Sequence, residues 1–288
     1  MELSYAQSIL TGFIQGITEL FPISSLGHAV LIPAWVGGDW ASFITDPASP
    51  YLTVTIALHA ASALALFLVF RKRWFSMFGA TLKSVRKRDY STPNTKLFLM
   101  LVIATIPVGV LGLTFEEPLQ KLFGDPLPSA IFLTLNGAIL ILVERLTRNN
   151  KALVGSQSAF DNIADHITPV SALAVGFGQC LALFAGISRF GITISAGLIR
   201  KMHHSVAAEF AFLLALPVIA GASLLKLPEL FTPELRHLAG PVIVGSIVSF
   251  GATYFSISFL VKWFQSKTLY PFAIYCLIAG AISIVKFI

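Results

Sequence analysis

Six stretches of this sequence, roughly 51–70, 97–114, 127–146, 205–226, 240–261 and 269–287, are long and apolar enough to cross a bilayer as helices. A crossing takes about 20 predominantly apolar residues at 1.5 Å rise each. In hydrocarbon every backbone polar group must be paired within the protein, which leaves only helices or a closed barrel. Runs of this length select helices. Composition agrees: charged residues make up 12% and hydrophobic ones 56% of the 288 residues, where a soluble domain carries roughly 25% charge. Mean hydropathy is +0.80. The expected fold class is an all-α polytopic membrane protein, a single membrane domain over 1–288. Disorder and a disulfide scaffold are excluded, since Cys180 and Cys276 both lie in apolar runs without a CxxC partner. The net charge of +6 is expected from loops at a lipid surface, so no nucleic-acid partner is inferred. The start, MELSYAQSIL, has neither a basic n-region nor a small-residue cleavage site, and no removed signal peptide is expected.

Two further apolar stretches, 4–36 and 167–199, are broken in the middle, the first by Pro22, Ser24 and Ser25, the second by Gly186, Ser188 and Arg189. Each reads as a re-entrant pair of half-helices. The loop 71–96 carries Arg71, Lys72, Arg73, Lys83, Arg86, Lys87, Arg88 and Lys96 against one acid, Asp89. Such a loop is expected in the cytoplasm. Alternation from there puts 115–126 (Glu116, Glu117, Asp125) outside and 147–166 (Arg148, Lys151) inside. The count closes if both broken stretches return to the side they entered from.

The breaks are also copies of one another. Gly12-Phe13-x-Gln15 recurs as Gly176-Phe177-x-Gln179, and Ile23-Ser24-x-x-Gly27 as Ile187-Ser188-x-x-Gly191, both at an offset of 164. Six of sixteen ungapped positions are identical, and the matches fall on Gly, Gln and Ser as well as on apolar residues. With the loop charges, this gives inverted-topology repeats of about 1–146 and 147–288, an architecture that places a site where half-helix ends meet.

Irregular backbone at membrane depth persists only where protein or a water-filled cavity satisfies it. The breaks bring Gln15, Glu19, Ser24, Ser25 and His28 together with Gly186, Ser188, Arg189 and Thr193. An acid and a guanidinium at depth mark function by default, although a Glu19–Arg189 ion pair holding the two breaks together accounts for part of the pattern. Helices restarting after Pro22 and Gly186 offer free N–H groups and positive dipole ends to an anion, phosphate above all. Arg189 adds a forked donor. Ser25 and His28 lie three apart on one helix face, the pattern of a nucleophile with its general base.

The run from Gln15 to His28 resembles the first signature of the undecaprenyl-diphosphate phosphatases, and Gly186-Ile-Ser188-Arg189-Phe-Gly-Ile-Thr193 resembles the second. The stretches Ala208–Pro217 and Pro271–Tyr275 look familial too. The resemblance implies a multi-pass hydrolase of the bacterial plasma (inner) membrane, its site open to the periplasm, with six spans and two re-entrant pairs in inverted repeats. Its substrate would be a polyprenyl diphosphate lipid, cleaved at the terminal phosphate to recycle the carrier for the cell wall and confer bacitracin tolerance. Glu19, Ser25, His28, Arg189 and Thr193 match functional positions. In the expected mechanism Ser25, activated by His28, attacks phosphorus held by Arg189. Ser24, Gly186, Ser188, Thr193 and Gln15 line the substrate site, and Glu19, with Gln15, orients the base or binds a divalent cation, Mg or Ca. A second copy of the chain is a further candidate partner. The rival reading is a transporter or flippase of polyprenyl phosphates, which needs the anion clamp but no nucleophile.

Four positions depart from the familial pattern: Gln15 where many members carry Glu, Ala185 for proline, Phe190 for serine, and Cys276 where arginine can occur. Phe190 is expected to remove a hydroxyl near the phosphate and to narrow the site. Outside the breaks, His59 in a span is either a cavity residue or bonded to a carbonyl. Gln179, Glu144 and Glu209 divide between site and helix packing. His203 and His204 read as edge residues, and Trp35, Trp40, Trp74 and Trp263 as interfacial anchors.

Overall fold

The computed structural model describes residues 3–46, 49–115, 124–148, 164 and 167–288, and within them every regular element is a helix. In chain order these are α1 (Tyr5–Thr18), α2 (Ser25–Val36), α3 (Gly38–Thr45), α4 (Tyr51–Lys87), α5 (Pro93–Thr114), α6 (Pro126–Thr147), α7 (Pro169–Gln179), α8 (Arg189–Ile199), α9 (His204–Lys226), α10 (Ala239–Trp263) and α11 (Tyr270–Phe287). The six expected spans are α4, α5, α6, α9, α10 and α11, each long and apolar enough to cross a membrane. Phe255, Leu64, Leu142 and Val285 point outward, as side chains of a multi-pass membrane protein do toward lipid. Of the connecting acids and bases expected above, Glu116, Glu117 and Lys151 lie outside the described residues.

The basic stretch expected as the loop 71–96 is mostly helix. α4 runs unbroken through Lys87 and ends at Arg88, whose φ of 55° is left-handed. No proline interrupts 71–87, and Lys, Arg, Leu and Met are strong helix formers. This extension packs on the start of α5 through Ser84–Thr95 and Asn94–Ser76 hydrogen bonds at 2.9 and 2.8 Å, and through the Phe78 and Phe98 rings.

The two breaks fall where the residues demand. α1 cannot run through Pro22, and Ser24, at φ 67°, turns the chain before α2. Ser24 then caps α2, its Oγ accepting from Gly27 N at 3.2 Å. In the second break a 3₁₀ turn (Cys180–Leu183) follows α7, and Gly186 adopts φ 109°. A side chain at position 186 would drive into the backbone of α6, with its Cβ 2.7 Å from Leu133 N. Ser188 caps α8 by accepting from Gly191 N at 3.1 Å. The breaks cross in contact: a Cβ on Gly27 would stand 2.9 Å from the Gly186 Cα, and Ser24 Oγ also accepts from Gly186 N at 3.1 Å.

The half-helices dock on spans of the opposite half. α1 lies along α10 and α7 along α5. Gly12 and Gly176, matched in the repeat, make both approaches possible, since a Cβ on either would meet the facing helix backbone, at the Gly245 and Ala104 Cα atoms respectively, within about 3 Å.

Candidate active site

Glu19 sits at the end of α1, 7% exposed, and gathers donors from three directions. Its Oε2 accepts from Gln15 Nε2 at 2.8 Å and from Ser25 Oγ at 2.6 Å. His59 Nε2, from α4, stands 3.0 Å from the same oxygen. The other His59 nitrogen faces the Thr55 carbonyl at 2.8 Å. Both neighbours of that ring are acceptors. His59 therefore does both things weighed for it, bonding a carbonyl and reaching the site.

Arg189 is the first residue of α8 and lies behind its capping serine. Its Nη1 is 3.8 Å from Glu19 Oε1, an ion pair too long for a hydrogen bond. That nitrogen is buried and has no hydrogen-bond partner among the described residues. The pair is thus one of several contacts between the two breaks. Asn136, in the middle of α6, donates from Nδ2 to Pro22 O and accepts at Oδ1 from Ser188 N, both at 3.0 Å. Ser188 Oγ also donates to Phe21 O at 3.3 Å. With the breaks secured this way, the guanidinium keeps donor capacity for a ligand.

The expected pairing of Ser25 with His28 is not formed. His28 Nδ1 lies 2.7 Å from its own helix's Ser24 carbonyl and must donate to it, and Nε2 is hydrogen-bonded to the Tyr275 hydroxyl at 2.6 Å, as acceptor when the ring is neutral. The two rings stack at 5.5 Å. Ser25 and His28 share a helix face, but the imidazole turns back toward the helix start and across to α11. The serine's proton is directed at Glu19 instead.

Thr193 donates to the Arg189 carbonyl one turn back at 2.7 Å, and it lines a cavity of about 10 Å³ together with Glu19, Gln179, Arg189 and Phe190. Phe190 also packs on Phe212 and Phe264, with ring centroids 4.6 and 6.0 Å away. Its bulk goes into the core between α8 and α9 as much as into the site. Cys276 lies buried beneath the first break, where its Sγ accepts from Asn136 Nδ2 at 3.4 Å.

Two acceptors bear on a divalent cation. Gln15 Oε1 is buried without a hydrogen-bond partner among the described residues, and Glu19 Oε1 has only the distant Arg189. Among the described residues no three His, Cys, Asp or Glu side chains converge.

Asn136 and Tyr275 are the site residues that motif reading passes over. A lone amide in the middle of an apolar span is the signal that points to the first. Tyr275 closes the familial stretch Pro271–Tyr275, but nothing in that stretch singles out its hydroxyl.

Residues 8–282 match the family described as Bacitracin resistance protein BacA. An undecaprenyl-diphosphatase 2 of Frankia alni is 41% identical over 338 residues, covering 99% of this chain and 98% of that protein. An undecaprenyl-diphosphatase of Mycolicibacterium paratuberculosis is 43% identical over 296 residues, covering 98% and 97%. One of Acidiphilium cryptum is 37% identical over 284 residues, covering 96% of each.

Proposed function

The chain belongs to the bacitracin resistance protein BacA family, and from that premise we propose how its site hydrolyses undecaprenyl diphosphate to undecaprenyl phosphate. The relatives' names carry the substrate and the reaction. The observation that carries the chemistry is the 2.6 Å bond from Ser25 Oγ to Glu19 Oε2, beside an Arg189 nitrogen without a hydrogen-bond partner among the described residues. A lipid carrier has use for the arginine but none for an oriented hydroxyl.

In this reading Arg189 and the positive end of α8 receive the terminal phosphate. Ser25 Oγ attacks its phosphorus, and the bond to the bridging oxygen breaks. Glu19 takes the serine proton and passes it to the departing undecaprenyl phosphate, while water later frees the phosphate from Ser25. Gln15 and His59 keep Glu19 aimed at the serine. His28, locked between the Ser24 carbonyl and Tyr275, braces the turn from which Ser25 projects. Where a divalent cation, Mg or Ca, is bound, Glu19 and Gln15 Oε1 would hold it, and it would offset diphosphate charge.

The two hairpins α1–α2 and α7–α8 are read as re-entrant pairs and the halves of the chain as inverted repeats. Supporting this are the matched caps Ser24 and Ser188, the matched glycines Gly12 and Gly176, and the exchange by which each hairpin docks on the other half. The basic end of α4 then lies in the cytoplasm of a bacterial cell's inner membrane, with the site reached from the periplasm.

Phosphate release from undecaprenyl diphosphate by the purified protein in detergent with added Mg²⁺ tests the proposal. Wild type should turn over, and Ser25→Ala and Glu19→Gln should not. A wild type that binds the lipid but releases no phosphate would overturn the reading in favour of a carrier.

A further inference from the structure

Among the buried groups that the mechanism above leaves unused is Gln179, which the repeat matches to Gln15. Gln179 closes α7 and is fully buried. Its Nε2 donates to the Ala104 carbonyl of α5 at 2.6 Å. This bond settles which way the amide faces, because the reverse orientation would set two carbonyl-type oxygens 2.6 Å apart. Oε1 is thus the remaining acceptor of this amide. It is buried and accepts no hydrogen bond from any described residue. A buried acceptor without a donor destabilises a fold, and one that is kept calls for a partner from outside the chain.

Gln179 and Glu19 face the same cavity, along with Arg189 and Thr193, and the remaining walls are apolar, among them Leu20, Phe190 and Leu214. The volume of about 10 Å³ is close to the least that holds a single water molecule. The lining selects among small occupants. A phosphate oxygen buried here would meet Arg189 but would also stand against the acceptors Gln179 Oε1 and Glu19, which repel it. A metal ion would find a guanidinium and hydrocarbon where it needs six oxygen ligands. Water suits all three polar groups, with two hydrogens for Gln179 Oε1 and Glu19 and a lone pair for Arg189.

We propose that Gln179 holds the water that hydrolyses the phosphorylated Ser25. The inference rests on the phosphoserine step proposed above and assigns its second half. The water oxygen attacks the phosphorus of phosphoserine 25, the new O–P bond forms, and the P–Oγ bond breaks. Glu19 takes one proton from the water and returns it to Ser25 Oγ, and phosphate leaves. The two repeat glutamines thus flank one carboxylate: Gln15 orients the base, and Gln179 orients the water beside it.

The full-length protein is compared with Gln179→Met, which keeps length but loses the acceptor, and Gln179→Glu, which keeps an acceptor oxygen. Rapid-quench samples with undecaprenyl diphosphate are assayed for undecaprenyl phosphate, inorganic phosphate and phosphoserine. Gln179→Met should give a burst of about one undecaprenyl phosphate per enzyme, then inorganic phosphate at least tenfold slower than wild type. Phosphoserine should accumulate at Ser25, KM should change little, and Gln179→Glu should recover part of the rate. A Gln179→Met protein that turns over like wild type, or is slowed without a burst or trapped phosphoserine, overturns the inference. Exchange of oxygen-18 between water and inorganic phosphate tests the same step in the unsubstituted protein, and its absence overturns the inference even where the variants do not fold. Failure of wild type to release phosphate at all is a different result and refutes the functional reading itself.

Discussion

Ser25 and Arg189 occupy one and the same structural position in the two breaks. Each is the first residue of the helix that restarts the chain, each follows a serine that caps that helix, and they stand 164 residues apart. Where one copy of the repeat places a hydroxyl, the other places a guanidinium. The crossing of the breaks at Gly27 and Gly186 brings the two starts together over Glu19.

Because Ser25 donates to Glu19 and not to His28, the unit to test by combination is Ser25 with Glu19. Ser25→Ala and Glu19→Gln should each remove nearly all turnover, and the double variant should cost little more, as groups acting together do. His28→Gln should leave measurable activity. Equal and non-additive losses at Ser25 and His28, with Glu19→Gln active, would return the role of base to the imidazole.

Arg189→Lys retains charge but not the planar fork. Losing a charge-assisted donor at a developing phosphate charge should cost about 2 kcal/mol or more in kcat/KM, and Arg189→Ala more still. Steady-state kinetics on undecaprenyl diphosphate measure this, and wild-type kcat/KM in Arg189→Ala removes the residue from the site.

Asn136→Ala would leave Pro22 O and Ser188 N buried without their partner. At about 1–3 kcal/mol for each buried group left unmet, thermal unfolding in detergent should show a loss of at least ~2 kcal/mol. Asn136→Asp, which can still accept from Ser188 N, should lose less.

A cysteine at Lys87, which is exposed near the end of α4, reports orientation. It should react with a membrane-impermeant maleimide only after cells are opened. Ser84, three residues earlier, is buried against Thr95 and unsuited to the purpose. Labelling in intact cells would invert the topology and put the site on the opposite face.

Phe190→Ser should destabilise the protein. Its ring is 3% exposed and packed on Phe212 and Phe264, so truncation opens a core cavity at a cost of about 3 kcal/mol, as for other large-to-small aromatic changes. Unfolding measurements check this; unchanged stability would mean that the ring only fills the substrate site.

The spans could be read from length and hydropathy because bilayer thickness leaves few alternatives. The breaks could be read because Pro22, Gly186 and the two capping serines act on the residues beside them, and Ser24 does cap α2. What escaped was set by distant partners. The His28 ring is placed by Tyr275, 247 residues on, and both breaks are tied by Asn136 from a third element. The helical stretch 71–87 escaped for another reason. Its charges mark a membrane side but carry no information on whether the backbone there is coiled or helical.

The docking of α1 on α10, with Gly12 against Gly245, has a bearing on how the protein is made. α1 leaves the ribosome among the first elements, and its partner follows more than 200 residues later. At the usual pace of about 5–20 residues per second, the first hairpin waits on the order of 10 to 50 s for its neighbour. During that interval Pro22 O can be met by Asn136 of the same half, but Ser24 Oγ and Asn136 Oδ1 have no Gly186 N or Ser188 N to receive. Assembly of the proposed site is therefore a late event, completed by the second half of the chain closing on a first half that has been waiting, incompletely bonded, at the membrane.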